Sequence, residues 1–182
     1  MLSCSGLKTR HFLFVILTLM WLPMANAKGG THAPFELIGN IVHNHDGDTI
    51  HLQTADLGLV KIRLSGADAP ETGQAFWRVA RNHLSSLAKG QVTTAWCYKT
   101  DQYDREVCHV RIGSTDICLD LIRRGFAWYA HMFSRELSSE QQAAYADAEE
   151  QARTQQLGLW SIPEPMPPWA CRKLRKAGQK CR

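Results

Sequence analysis

The sequence predicts an α+β fold that is mainly β: a small, partly open barrel of five strands with about three helices at its ends. Five short segments alternate apolar and polar residues, as strands do, and three others space their apolar residues as helices do. The order of these elements alone leaves other α+β folds open. The chain has 182 residues, 45% of them hydrophobic and 21% charged, which suits one domain with a core and excludes wholesale disorder.

The five strands are expected at residues 35–43, 48–54, 59–64, 92–98 and 105–112. Asp46-Gly47 is a turn signal between the first two strands. In the third strand, Val60, Ile62 and Leu64 share one face. Residues 28–34 contain glycine and proline and are expected to be loose.

The three helices are expected at residues 73–88, 117–124 and 138–157. Gly90, Gly125 and Gly158 follow these segments directly, at the position where a left-handed residue commonly ends a helix. Ser138 and Gln141 have the spacing of a capping box at the start of the third helix.

Residues 1–27 have the pattern of a secretory signal peptide. Lys8 and Arg10 form a positive start, residues 12–22 are apolar, and Ala25-Asn26-Ala27 fits a cleavage site. The apolar run is shorter than the about 20 residues that span a bilayer, and an uncleaved membrane anchor is the alternative. We expect cleavage after Ala27, export to the periplasm or the medium, and no integral membrane segment in the remaining chain.

Charge is distributed unevenly along the chain. The 21 Lys and Arg residues exceed the 17 Asp and Glu residues by four, too small an excess to identify a nucleic-acid binder. Residues 28–164 contain 13 basic and 17 acidic residues, a net charge of −4, whereas residues 165–182 contain six basic residues and no acidic one. We therefore separate residues 162–182 as a Pro-rich linker with a basic, cysteine-containing tail, which either contacts phosphates or is a solvated basic end.

Three polar segments at the ends of predicted strands carry candidate chemistry: residues 46–49, 63–71 and 101–105. They combine carboxylates with two arginines. Carboxylate oxygens suit a hard divalent cation such as calcium, and arginine suits a phosphodiester. Taken singly, each segment also has an ordinary explanation as a turn, a helix start or a surface arginine. Their combination predicts a metal site beside a phosphate site.

Several motifs occur in the order found in one known family. They are Asp46-Gly47-Asp48-Thr49-Ile50, Arg63-Leu64, Asp68-Ala69-Pro70-Glu71, Asp101-Gln102-Tyr103-Asp104-Arg105, residues 121–128, Gly158-Leu159-Trp160 and, in the tail, Pro167-Pro168-Trp169 with Arg172-Lys173. This set resembles the staphylococcal nuclease (thermonuclease) family over residues 38–160, and we expect the domain at residues 35–161. The resemblance implies an OB-fold and calcium-dependent hydrolysis of DNA and RNA at the 5′-oxygen side, which leaves 3′-phosphates.

The resemblance also implies a calcium site. Asp48 and Asp68 match the direct ligands of the family, and Ala69 matches a ligand that acts through its backbone carbonyl, for which a methyl side chain is acceptable. Asp46 and Thr49 match supporting positions around the metal. Calcium is therefore the expected cofactor.

Three residues match the catalytic groups of the family. Glu71 matches the general base, which takes a proton from the attacking water or positions that water. Arg63 and Arg105 match the pair that grips the scissile phosphate. Gln102 and Asp104 depart from the family pattern, and a charge at position 104 could weaken this grip, although aspartate tolerates the left-handed conformation of the turn.

Three further side chains are expected to contact the substrate. The resemblance implies that His131 and Phe133 stand where the family has two tyrosines that flank the nucleotide, and either could stack on a base, as aromatic side chains do in single-strand binders. Tyr103 is the third expected substrate contact. DNA and RNA are the expected partners, and we expect the protein to be a monomer.

Five cysteines remain after the signal peptide, and an oxidising compartment favours disulfides. If a simple hairpin joins the fourth and fifth strands, Cys97 and Cys108 lie opposite each other. We predict a disulfide between them, a second between Cys171 and Cys181, and a free Cys118. Small buried thiols are the alternative for Cys108 and Cys118.

Other assignments remain open. His43, His45 and His51 could ligate a transition metal, although ordinary histidines in strands and loops are the favoured interpretation because calcium prefers oxygen. The chain could also be a catalytically weak or silent OB-fold module that binds nucleic acid or protein, or an envelope protein whose tail binds anionic lipid or polysaccharide. The complete set of carboxylates and arginines favours the nuclease.

Overall fold

A computed structural model describes residues 29–181, so the predicted signal peptide lies outside the described residues. The strands are β1 (Gly30–Asn44), β2 (Thr49–Thr54), β3 (Leu59–Leu64), β4 (Ala67–Asp68), β5 (Thr93–Thr100), β6 (Glu106–Ile112), β7 (Thr115–Asp116) and β8 (Trp128–Tyr129). The helices are α1 (Trp77–Ala88), α2 (Ile117–Arg123), α3 (Ser139–Thr154) and α4 (Pro168–Lys176), and two 3₁₀ segments cover His131–Glu136 and Gly158–Ser161. Within residues 29–181, no helix has the length and apolar character needed to cross a bilayer.

The main sheet has six strands in the order β3-β2-β1-β5-β6-β7, and β3 also pairs in parallel with β6. This extra pairing makes the sheet partly ring-like but not a barrel. The α+β class is confirmed and the arrangement is OB-like, with six strands in the sheet where five were expected. The prediction that residues 28–34 are loose is wrong from Gly30 onwards, because β1 starts at Gly30, which pairs with Thr100 of β5. Pairing with β5 keeps this segment extended, and its glycine and proline content does not predict that pairing.

The core lies between the sheet and helices α1, α2 and α3. Strands β2 and β3 turn one face inward, and α2 contributes its apolar side to the same core; the buried residues include Ile50, Leu52, Ile62, Leu64, Ile117, Leu121 and Ile122. Because side chains alternate along a strand, Arg63 points away from the face formed by its two neighbours. The core therefore fixes the ends of β2 and β3, where the polar segments begin.

Helix boundaries follow local cap chemistry. The capping box of Ser138 and Gln141 is present at the start of α3. Helix α1 starts at Trp77 instead of residue 73, because Phe76 takes a left-handed conformation with φ of 63° and interrupts the helix before that point. Gly90, Gly125 and Gly158 all have positive φ, as expected for residues that end helices.

The basic tail, predicted to be a linker and a basic end, contains helix α4. Pro168 is its first residue, a position where proline costs no backbone hydrogen bond. Disulfides join Cys97 to Cys108 and Cys171 to Cys181, the pairs expected from the sequence. Cys97 and Cys108 face each other in the β5–β6 register. The disulfide between Cys171 and Cys181 fastens α4 to the residues that follow it.

Candidate active site

The turn before β2 points Asp48 into the protein. The Asp46 carboxylate accepts hydrogen bonds from the backbone N–H groups of Asp48 (3.1 Å) and Thr49 (2.7 Å), which closes the turn. Gly47 allows a close approach, because a Cβ atom there would lie 2.7 Å from the Cβ of Ala69 and 2.8 Å from that of Ala80. The turn thereby brings β2 against the segment that carries Asp68.

Asp48 and Asp68 lie close together beside Arg63. Both carboxylates are almost fully buried. Asp48 Oδ2 accepts the backbone N–H of Ala69 at 2.6 Å, and Arg63 Nη2 reaches Asp68 Oδ1 at 3.0 Å and Asp48 Oδ2 at 3.3 Å. Arg63 Nη1 also donates to the backbone carbonyls of Leu64 and Ala67, each at 2.7 Å. Arg63 therefore locks the two carboxylates to the backbone of β3 and β4.

Burial makes ionisation of these carboxylates costly. It raises the pKa of Asp48 to about 6, with a smaller contribution from Asp46 and against the attraction of Arg63. Burial likewise raises the pKa of Asp68, despite its hydrogen bonds to Arg172. Two buried carboxylates with raised pKa values form a site where a bound cation would offset the cost of charge.

The donors around Asp48 and Asp68 are of the type that calcium prefers. Two carboxylates and the carbonyl of Ala69 are hard oxygen donors, and calcium commonly takes about six to eight oxygens, water included. Among residues 29–181, no group of three or more His, Cys, Asp or Glu side chains is arranged to hold a metal ion, and this applies to the carboxylates as well as to the histidines. The His43 and His51 rings stand 5.4 Å apart across β1 and β2.

Arg105 reaches the same region from the hairpin between β5 and β6. Its Nη1 donates to Thr49 Oγ1 at 3.1 Å, and the Thr49 hydroxyl donates to Asp48 Oδ1 at 3.3 Å. Asp101 holds the other side of the guanidinium, with Arg105 Nε at 2.8 Å and Nη2 at 2.7 Å from Oδ2. Asp104 takes the left-handed conformation with φ of 60°. The carboxylate in contact with Arg105 is therefore that of Asp101, and Asp104 serves the turn.

Glu71 lies at the partly exposed edge of the site and meets two arginines that sequence reasoning missed. Arg172 of α4 places Nη1 2.7 Å from Glu71 Oε1, and it also contacts Asp68. Arg175 Nη1 is 3.6 Å from Glu71 Oε2. The signals in the sequence were the basic character of the tail and the Arg172-Lys173 motif, and neither indicated which acids the tail would meet.

The three side chains expected at the substrate have separate surroundings. Tyr103 is exposed, and the Arg105 guanidinium lies 5.4 Å from the centre of its ring. His131 is exposed and forms a 3.1 Å hydrogen bond with Glu149. Phe133 is half-exposed, and Lys99 Nζ lies 5.4 Å from its ring. Of the three, Tyr103 is the one in direct contact with a predicted catalytic residue.

Comparisons with known proteins agree with this geometry. The family model described as staphylococcal nuclease homologue matches residues 61–162. A micrococcal nuclease of Shigella flexneri is 33% identical over 76% of this chain and 82% of its own length. An uncharacterized endonuclease of Escherichia coli O157:H7 is 30% identical over 75% of this chain and 86% of its own. A staphylococcal-like nuclease of Arabidopsis thaliana is 28% identical over 65% of this chain, which spans 35% of that protein. The chain therefore belongs to the staphylococcal nuclease family.

Proposed function

We propose that this chain is an exported, calcium-dependent nuclease that acts as a monomer on DNA and RNA. Family membership makes it a phosphodiester hydrolase. The proposed cut is at the 5′-oxygen side of the phosphodiester and leaves 3′-phosphates. The observation that carries the proposal is the convergence of Asp48, Asp68 and Arg63, with Arg105 joined to them through Thr49.

The proposed metal ligands are the carboxylates of Asp48 and Asp68 and the carbonyl of Ala69. Asp46 supports this set by closing the turn, and Thr49 supports it by linking Asp48 to Arg105. When bound, calcium neutralises part of the phosphate charge and orients the nucleophile. The hydrogen bond from Ala69 N–H to Asp48 keeps the ligand-bearing segments together.

The two arginines of the sheet have different proposed shares in the reaction. Both terminal nitrogens of Arg63 are engaged with carbonyls and carboxylates, so its main task is to hold the ligands in place. Arg105 is anchored on one side by Asp101 and lies next to the exposed ring of Tyr103. Its nitrogens are also engaged, but the bond of Nη1 is to a single neutral partner, the Thr49 hydroxyl, so we propose Arg105 as the main donor to the charge that develops on the phosphate in the transition state.

Glu71 is the proposed base. Its carboxylate is partly exposed, close to the buried ligand Asp68, so a water molecule can reach it from solvent. It accepts a proton from that water or orients it for attack. Tyr103, His131 and Phe133 are the side chains proposed to stack on bases of the substrate.

Export is supported by the cysteines. Cys97, Cys108 and Cys171 are fully buried in disulfides, and such bonds persist in oxidising compartments. The mature chain is expected to begin at Lys28. Mass spectrometry of the protein recovered from periplasm and medium checks this; a recovered chain that retains residues 1–27 would contradict it.

The direct test is digestion of single-stranded DNA, double-stranded DNA and RNA, with calcium or with a chelator. Wild type should cleave all three only with calcium, and the products should carry 3′-phosphates. Glu71→Gln and Arg105→Ala should turn over slowly with retained folding. Equal cleavage in the chelator would contradict the calcium mechanism. Binding of nucleic acid with no cleavage in calcium would support the silent binding module instead.

A further inference from the structure

The tail helix delivers a guanidinium to the site from far along the chain. Arg172 Nη2 lies 2.7 Å from Asp68 Oδ2, and Nη1 lies 3.1 Å from Asp68 Oδ1 and 2.7 Å from Glu71 Oε1. Asp68 is 104 residues away in sequence and Glu71 is 101. One nitrogen is thus shared between a proposed metal ligand and the proposed base.

The tail also holds the backbone of Glu71. The buried Gln74 side chain accepts the Glu71 N–H through Oε1 at 2.8 Å and donates from Nε2 to the carbonyl of Met166 at 2.9 Å. Gln74 therefore joins the backbone of the base to the segment just before α4. Side chain and backbone of Glu71 are both tied to the same part of the tail.

Further contacts keep α4 in place. Arg175 Nη2 donates to the carbonyl of Thr72 at 2.5 Å, and the Trp169 ring packs edge-on to Trp128, with centroids 6.4 Å apart. Cys171, next to Arg172, is fully buried and bonded to Cys181. The helix is docked on both sides of Arg172, so the position of its guanidinium is determined by the fold.

We propose that Arg172 is a positioning residue of the active site, which holds the Glu71 carboxylate next to Asp68. This inference rests on the proposed function. The carboxylates of Asp68 and Glu71 share one guanidinium nitrogen of Arg172. Without that nitrogen their mutual repulsion is no longer offset, and the Glu71 side chain can turn into solvent. Arg172 thereby acts on the reaction through Glu71 and makes the tail part of the nuclease site.

The test compares wild type with Arg172→Ala, Arg172→Lys and the matched control Lys176→Ala, which removes an exposed charge from the same helix. The substrate is a defined DNA duplex at saturating calcium. Arg172→Ala should lower kcat about 10- to 100-fold, the usual effect of losing a partner that orients an active-site group, with little change in KM. Arg172→Lys should recover part of kcat, and dilute guanidinium ion should partly rescue Arg172→Ala. Lys176→Ala should match wild type.

Calcium affinity, measured by titration calorimetry without substrate, separates positioning from a general loss of structure. Removal of a positive charge from Asp68 favours a cation, so Arg172→Ala should bind calcium more tightly while it cleaves more slowly. Thermal unfolding of each variant checks that the chain is folded. A simple structural role would weaken both properties together and would not respond to guanidinium.

Unchanged or increased kcat in Arg172→Ala would overturn the inference, since the arginine would then be a surface ion pair or an inhibitory plug. Weaker calcium binding in Arg172→Ala would also overturn it. These results are distinct from failure of the proposed function, which would appear as no cleavage by wild type under any of the conditions.

Discussion

The candidate site has two halves that are built in different ways. In the sheet half, Arg63 and Asp48 are nearly buried, and the β2–β3 register sets Thr49 opposite Arg63. In the tail half, Arg172 and Glu71 are partly exposed and are held together by side-chain contacts, while a disulfide joins α4 to the end of the tail. The difference teaches that strand register can fix the proposed ligands, whereas the proposed base depends on a distant part of the chain.

The largest expected effect is in the tail half. Glu71→Gln should lower kcat by about 10²- to 10⁴-fold, because it removes a proton acceptor and leaves the shape unchanged. The measurement is single-turnover cleavage of a labelled DNA strand in calcium. A loss below about tenfold would mean that Glu71 is not the base and that the tail half is not essential for the chemistry.

The next effect is in the sheet half. Arg105→Ala should lower kcat by about 10²- to 10³-fold, as expected for loss of a donor to transition-state charge.

Asp101→Asn should lower kcat less than Arg105→Ala does, because it weakens the hydrogen bonds that hold the Arg105 guanidinium in place. Steady-state kinetics at saturating calcium check both. Equal kcat in wild type and Arg105→Ala would remove Arg105 from the catalytic set.

The free energy of unfolding should distinguish variants of the sheet half from variants of the tail half most clearly. Arg63→Met leaves two buried carboxylates without their shared partner and should lower the free energy of unfolding by about 3–5 kcal/mol. Arg172→Ala removes a partly exposed guanidinium and leaves the buried Asp68 carboxylate still paired with Arg63, so it should lower the free energy of unfolding by less. Urea unfolding of the metal-free protein measures both. Equal losses would break the distinction between a buried half and an exposed half.

The two disulfides give a matched comparison, since they span 11 and 10 residues. Loop entropy alone assigns each about 3 kcal/mol. Replacing Cys97 and Cys108 by alanine should lower global stability by about that amount. Replacing Cys171 and Cys181 should lower it less, because α4 can detach without global unfolding, yet should slow cleavage. Denaturant unfolding and kcat of both double variants test this; the reverse pattern would contradict it.

The smallest expected effect is the pH dependence of the free energy of unfolding that comes from His109 in β6. Burial lowers the pKa of His109, against the attraction of Asp116 and Glu136. The folded state therefore favours the neutral His109 ring. The contribution of His109 to the free energy of unfolding is fully present above pH 6.5, and it is lost as the pH falls through the lower pKa that the residue has in the folded state. His109→Gln should reduce this loss of unfolding free energy between pH 7 and 5. Parallel curves for variant and wild type would show that His109 does not contribute.

The strands and turns of the sheet half could be predicted from the sequence because their signals are local, whereas the roles of its site residues were assigned from the family resemblance. The Asp46-Gly47 turn, the alternation around Ile62 and the opposition of Cys97 and Cys108 each depend on neighbours in one hairpin. The tail half could not, because Arg172 meets Asp68 across 104 residues and no periodicity links them. The early start of β1 was missed for the same reason, since its partner Thr100 is far away in sequence.

The central claim is that the Asp48 and Asp68 carboxylates make cleavage depend on calcium. The most direct measurement is a calcium titration of chelator-treated protein, following the initial cleavage rate and, in parallel, the heat of binding. Wild type should show one saturable site whose occupancy parallels the rate, and Asp48→Asn should lose both signals. Cleavage without calcium, or full calcium-dependent activity in Asp48→Asn, would contradict the claim.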